Sequence, residues 1–273
     1  GSEMCIRDSA DIEPLLKQLH SQGRLRVWSL IITFFGDSIL NKGGEVEASR
    51  IKILMQAMRI EPGTLRTALS RLTTDNWLER YKNGKSTVYR LGNRGVKEFG
   101  PASKLIYSAP RTKYEEHWKV ILNSSLEDEH SGFLIQTGVS ILPISEKNPK
   151  NSLIFDSKIN FLSEEMSYKL LPKGYFNEIN QLIDLFAPIP NTKLDPLEAM
   201  ITRTLLIHNW RRIVLKFSEV PKEFTPKEWK GHNIRLFIKK IYNELTPKAE
   251  DWLNSPLEFS LINFNKFKTP KRF

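Results

Sequence analysis

Residues 48–91 read ASRIKILMQAMRIEPGTLRTALSRLTTDNWLERYKNGKSTVYRL, and this stretch decides the fold. Ile51, Leu54, Met55 and Met58 recur at i, i+3, i+4 and i+7, which predicts an amphipathic helix with Ser49 placed to cap its start. Pro62 lacks an N–H and disfavours helical geometry at Glu61, so the first helix must stop and a second begin near Pro62. In that second helix Leu65, Leu69 and Leu72 form the inward stripe. Gly63, Thr67, Ser70 and Thr74 lie opposite, flanked by Arg66 and Arg71. Beyond Asp75-Asn76, the loosely alternating Trp77–Tyr81 and Ser86–Leu91 read as strands of a hairpin, with Asn83-Gly84 supplying a type I′ turn and Lys82 and Lys85 a basic tip. Helix, turn, helix and hairpin in this order outline a winged helix-turn-helix.

An outer helix face of small hydroxyls bordered by guanidinium groups suits entry into a major groove. The residues expected at DNA are Thr64, Arg66, Thr67, Ser70, Arg71 and Thr74 on the helix, with Lys82, Asn83, Lys85 and Ser86 on the wing. Thr67, Ser70 and Arg66 would read bases, while Arg71, Lys82 and Lys85 would hold phosphates. The alternative is a winged helix that binds protein, its cations merely solvated.

Charge distribution favours a polyanion. The chain carries +10, yet residues 1–58 are balanced; Arg59 to Lys97 holds nine basic residues against three acidic, and four more basic residues (Lys266, Lys268, Lys271 and Arg272) crowd the tail. An excess confined to one helix-and-wing segment and one end is an electrostatic footprint, although the tail by itself reads better as a disordered, solvated end.

With 273 residues, 40% of them hydrophobic, the chain has room for two or three domains with real cores. The longest apolar run, Trp28 to Phe35, is too short to span a bilayer, and residues 1–24 contain no signal-peptide core. Cys5 is the single cysteine, which excludes an intrachain disulfide and fits a cytoplasmic protein. The expected division is 1–24, a cloning remnant and leading helix; 25–108, the winged helix-turn-helix; 109–172, a small α+β domain; 173–258, a helical domain; and 259–273, a basic tail. Helices are expected at Asp11–Leu19, Arg26–Ile39, Arg94–Ile106, Tyr175–Phe186, Pro196–Leu215, Ile234–Leu245 and Pro247–Leu253. Strands are expected at Trp118–Leu122, Phe133–Gln136, Val139–Leu142 and Leu153–Phe155.

Catalytic chemistry fails on spacing. The five histidines (His20, His117, His130, His208, His232) form no HxH or HExxH pair, and Gly43-Gly44 and Gly84 belong to no phosphate loop. Glu115-Glu116-His117 and Glu127-Asp128-Glu129-His130 imitate acid–base clusters but read as solvated loops. No cofactor is expected, and the chain reads as a non-enzyme.

Two separated blocks carry a resemblance. Ser29 to Asp37, Gly43 to Val46, Leu65 to Leu72 and Trp77-Leu78, followed by Leu206 to Arg212, Pro221, Trp229 to Gly231 and Ala249 to Leu253, resemble the PaaX family of repressors of phenylacetate degradation. The resemblance implies an α+β protein: an N-terminal winged-helix DNA reader, a central domain of the ferredoxin-like Cas2 type and a helical C-terminal domain supporting a homodimer. It also implies a double-stranded operator released by an aryl-CoA, phenylacetyl-CoA in the family. His208, Trp210, Arg211 and Arg212 are candidates for an effector pocket in which the arginines meet CoA phosphates, or else for a structural contact within a helix. A Cas2-like nuclease is the remaining rival. Where family members carry Asp after the strand at Trp118–Leu122, this chain has Asn123-Ser124-Ser125, so the paired carboxylates that cleavage needs are missing.

Overall fold

The computed structural model describes residues 11–21, 23, 25–110, 114–123, 132–217, 220–257, 262–269 and 272–273. Cys5, Ser124-Ser125, the charge run Glu127–His130 and Lys271 lie outside them. Among the described residues the protein is a mixed α+β chain with two antiparallel sheets, and it forms two compact units: Gly1–Ser108 with Asp184–Arg212 and Leu236–Phe273, and Ala109–Ile183 with Ile213–Arg235. The stretch 173–258, expected as one helical domain, contributes to both.

In the first unit, α1 (Glu13–Ser21) precedes α2 (Val27–Phe34), which runs on through a π-helical turn, Phe35–Ile39. A short strand, β1 (Glu45–Glu47), leads into α3 (Ala48–Ala57) and α4 (Pro62–Thr74), then the hairpin of β2 (Leu78–Asn83) and β3 (Ser86–Leu91), then α5 (Asn93–Ile106). β1 pairs with β3, so the expected hairpin is a three-stranded sheet of order β1-β3-β2. β1 has too few residues to show a period. Ile51, Leu54, Met55 and Met58 are fully buried, as their spacing requires. The cap differs: Glu47 precedes α3 in extended geometry with no side-chain cap bond, and Ser49 lies inside the helix.

The helix ends are set by two left-handed residues that are not glycine. Arg59 (φ 61°) follows α3, with Ile60 N–H donating to Met55 O and Arg59 N–H to Gln56 O. Asn76 (φ 58°) follows α4 in the same way, with Trp77 N–H donating to Leu72 O and Asn76 N–H to Thr73 O. Both are Schellman closures, which satisfy the last helical carbonyls and turn the chain sharply.

α8 (Pro196–Val214) and α9 (Ile234–Asn254) contribute their 196–212 and 236–254 portions to this unit. α9 is one helix, not the expected pair, because Pro247 is carried inside it; Pro101 is likewise inside α5. Tyr242 and Glu250, on either side of Pro247, are both fastened to the core, and that anchoring outweighs the lost hydrogen bond. The tail is not a solvated end: Phe264 is buried, Phe267 O accepts from Lys42 Nζ at 3.2 Å, and Arg272 donates to Gly36 O at 2.9 Å and lies over the Tyr107 ring.

The second unit is built on β4 (His117–Asn123), β5 (Phe133–Gln136), β6 (Val139–Pro143) and β7 (Ser152–Lys158), all antiparallel in the order β5-β6-β4-β7. Residues 144–151 connect β6 to β7 through turns without a helix. Trp118 and Phe133 pack on Phe224, at 5.0 and 5.8 Å between ring centroids. Two further helices, α6 (Glu164–Lys169) and α7 (Tyr175–Phe186), follow the sheet. Phe176 stacks on Trp229, and Gly231 lies so close to that indole that a Cβ there would meet it at 2.3 Å, which explains glycine after Trp229-Lys230.

Candidate nucleic-acid interface

α4 is fixed from beneath by Leu65, Ala68, Leu69 and Leu72, all buried. That fixes its opposite face as the outer one, and Thr64, Arg66, Thr67, Ser70, Arg71 and Thr74 are all exposed there. Thr67 Oγ1 donates to Gly63 O and Thr74 Oγ1 to Ser70 O, both at 3.1 Å, which leaves the hydroxyl lone pairs facing outward as acceptors. Arg71 Nε lies 3.6 Å from Asp75, an exposed pair of small energy that a phosphate can displace.

The cations sort into held and free ones. Arg59 is engaged by Glu13, Arg90 by Glu79 and by the Tyr81 ring, and Arg94 lies over Trp77 at 5.1 Å. Arg66, Lys82 and Lys85 are exposed and have no ion-pair partner among the described residues. Arg80 shares this state and adjoins Lys82 in β2; its place in a half-exposed strand concealed it from a reading that looked only to the hairpin tip.

At that tip the expected turn is displaced by one residue. Asn83 pairs with Ser86, so the two loop residues are Gly84 and Lys85, and only Gly84 has positive φ (56°). That is the pattern of a type II′ turn, glycine first, rather than the type I′ turn of Asn83-Gly84. Lys85 therefore sits at the apex, with Asn83 exposed and Ser86 half-buried as the closing pair.

The α8 stretch His208–Arg212 behaves differently. His208 is 5% exposed, and its Nδ1 lies 3.2 Å from Thr33 Oγ1, which also accepts from Arg211 at 2.9 Å. Trp210 is buried with its indole N–H donating to Ile106 O at 2.9 Å, and Arg212 is exposed. Burial, with Arg211 and Arg212 beside it, pulls His208 down to about 3, so the ring is neutral. These bonds tie α8 to α2 and, through Trp210, to the end of α5.

An open cleft of about 810 Å³ in the second unit is lined by Glu115, Glu116, Glu164, Glu223 and Glu228 against Lys158 and Lys227. Its charge repels phosphate, so it suits neither nucleic acid nor a CoA. Among the described residues no three His, Cys, Asp or Glu side chains converge as metal ligands, and no helix is long and apolar enough to cross a membrane.

A rigidly seated helix whose exposed face carries hydroxyls and guanidinium groups, beside a hairpin with a cationic apex, defines a basic helix-and-hairpin surface on a mixed α+β protein. The chain belongs to the PaaX-like protein family: residues 26–95 match the family itself and residues 171–255 its C-terminal domain. It is similar to the transcriptional repressor PaaX of Escherichia coli strain K12, 26% identical over 267 residues that cover 85% of this chain and 84% of that one. Among solved structures it is similar to the uncharacterized protein Rv0674 from Mycobacterium tuberculosis, with a TM-score of 0.48 and 16% identity over 76% of this chain and 91% of that one.

Proposed function

We propose that this protein is a transcriptional repressor of the PaaX type, with no enzymatic activity, whose residues 25–108 are a winged helix-turn-helix that binds double-stranded operator DNA as a homodimer. The observation that carries the reading is the outer face of α4, where Arg66, Thr67 and Ser70 stand exposed without a bulky aliphatic neighbour, beside the exposed Lys82 and Lys85 of the hairpin. Membership of a family with a repressor among its relatives supports it. In the dimer two copies of α4 enter successive major grooves, about 34 Å or one helical turn apart, and the partly palindromic operator mirrors the two-fold axis. Residues 109–172 are a shortened ferredoxin-like domain: the β5-β6-β4-β7 order supports this, while the helix-free 144–151 connection marks the shortening.

The ligand that releases the operator is an aryl-CoA such as phenylacetyl-CoA, so the genes controlled serve aromatic catabolism in the cytoplasm. Within His208–Arg212, Arg212 is the exposed side chain that would meet its phosphates, and His208 and Trp210 are buried. The test is a titration of the protein against duplex DNA from its own upstream region and against random duplex, each with and without phenylacetyl-CoA. Tighter binding to the upstream duplex, weakened by the CoA ester, is expected. Equal affinity for both duplexes would overturn the repressor reading, and indifference to the ester would overturn the effector.

A further inference from the structure

Tyr107, at the end of α5, and Tyr242, on α9, form two walls of an aromatic slot in the first unit. Their hydroxyls donate to the same oxygen of Asp37, at 2.6 and 2.9 Å, so both rings are fixed in place whatever stands between them. The occupant is the Phe273 ring, 5.4 Å from Tyr107 and 5.5 Å from Tyr242 between centroids, edge-on to each in the geometry that aromatic pairs favour. Tyr242 is buried, whereas Tyr107, Arg272 and Phe273 are half-buried, so the slot is reached from solvent on the side of its occupant.

Phe273 is held by these ring contacts and by no hydrogen bond among the described residues. Its φ of 66° is strained for a bulky side chain, so the ring leaves the slot with relief. Arg272 is held more firmly: it lies 4.1 Å over the Tyr107 ring and donates to the carbonyls of Gly36 and Asp37. It has no ion pair among the described residues, and its Nε is buried without a hydrogen-bond partner, a donor beside the slot that lacks an acceptor. The Asp37 carboxylate at the base of the slot is already matched by Arg203 at 3.1 Å.

The Phe273 side chain is a benzyl group, a ring on one methylene. We propose that the Tyr107–Tyr242 slot is a binding site for the ring of an arylacetyl compound, with Phe273 as its intrachain occupant. Such a ligand carries the same benzyl unit followed by a carbonyl, which supplies the acceptor that Arg272 Nε lacks. The inference rests on the ligand-released reading above and gives the aryl end of that ligand its place.

Isothermal titration of the full chain with phenylacetyl-CoA, acetyl-CoA and phenylacetate tests this. Phe273→Ala empties the slot; with the ring in place in about nine molecules of ten, the variant should bind phenylacetyl-CoA about tenfold more tightly than wild type. Damage to the fold would weaken binding, not tighten it. Affinity for acetyl-CoA, which has no ring, should not change. Tyr107→Ala removes one wall and should weaken phenylacetyl-CoA binding by about tenfold, with thermal melts as the check on folding. Equal affinity of wild type and Phe273→Ala for the phenylacetyl ester, or an equal gain for acetyl-CoA, would overturn the slot while leaving an effector site elsewhere. Phenylacetate bound by Phe273→Ala, with the ester bound by neither chain, would uphold the slot and overturn the CoA ester as ligand. A Phe273→Ala chain that binds neither phenylacetyl probe would overturn both.

Discussion

Arg66 and Lys85 place different demands on DNA although both are exposed cations without an ion-pair partner among the described residues. Arg66 stands on α4, where its planar fork can meet guanine in two parallel hydrogen bonds; Lys85, at the apex of the hairpin, offers a point charge to a phosphate. Arg66→Ala should therefore cost about 1–3 kcal/mol at the operator and much less on random duplex. Lys85→Ala should weaken both alike and lower the salt slope by about 2, since one cation is removed from each of two copies. Fluorescence-anisotropy titrations on the two duplexes separate these outcomes, and equal losses for Arg66→Ala on both would remove its base-reading role. At this scale much was legible: hydroxyl and guanidinium groups opposite a leucine stripe are visible in a helical period. What was not legible was which cations are free. Arg59 counts as +1 in the sequence, but its charge is held by Glu13, 46 positions away.

Among the elements, α3 and α4 lie where their periods place them, because alternating burial every three or four residues is a local property. The discrepancies arise where tertiary contacts take over. β1 is three residues long and exists by pairing with β3, and α9 passes through Pro247 because its flanks are anchored. The joint between α2 and α8 is of the same kind: Thr33 Oγ1 serves both His208 and Arg211, side chains about 175 positions distant. It yields a pH prediction. His208 is near 6.5 when unfolded and about 3 when folded, so the unfolded state binds the proton more readily at acid pH. The stability this group contributes is complete above about pH 6.5 and is lost as pH falls toward 3, amounting to about 2 kcal/mol by pH 5. Denaturant melts of wild type and His208→Gln at pH 7 and pH 5 check it: the variant should lose less between the two, and identical losses would contradict the assignment.

Across the molecule, four charges that the sequence presents as neutral background meet in the interior of the first unit. Arg203 Nε lies 3.1 Å from Asp37 and its Nη1 2.9 Å from Glu250, whose other oxygen is 2.7 Å from Lys42 Nζ; all four side chains are almost fully buried. Tyr107 and Tyr242 donate to Asp37 at 2.6 and 2.9 Å, and burial with that carboxylate alongside pushes both phenols up. Burial acts against the Arg203 charge, but Tyr242, Asp37 and Glu250 together hold its pKa above the ordinary value. The set joins the π turn after α2 to α8, α9 and α5, and Arg50 of α3 is fastened to the end of α9 by bonds to Trp252 O and Ser255 O. No spacing rule connects positions 37, 42, 203 and 250, so this centre could not be read before folding. Arg203→Met would take from the buried Asp37 its arginine partner, leaving it the two phenols, and leave Glu250 to Lys42 alone, and should cost about 3–5 kcal/mol, read as a lowered melting temperature.

The central claim is that the α4 and hairpin surface grips duplex DNA through its exposed cations. The measurement that tests it most directly is the salt dependence of affinity for duplex DNA. With Arg71, Arg80, Lys82 and Lys85 from each of two copies at phosphates, the slope of log K against log salt should approach about −7. The Lys82→Ala, Lys85→Ala double variant should flatten it by about 3 to 4, because two cations are removed from each copy. A chain that binds no duplex at low salt, or one whose slope is unchanged in the double variant, would contradict the account.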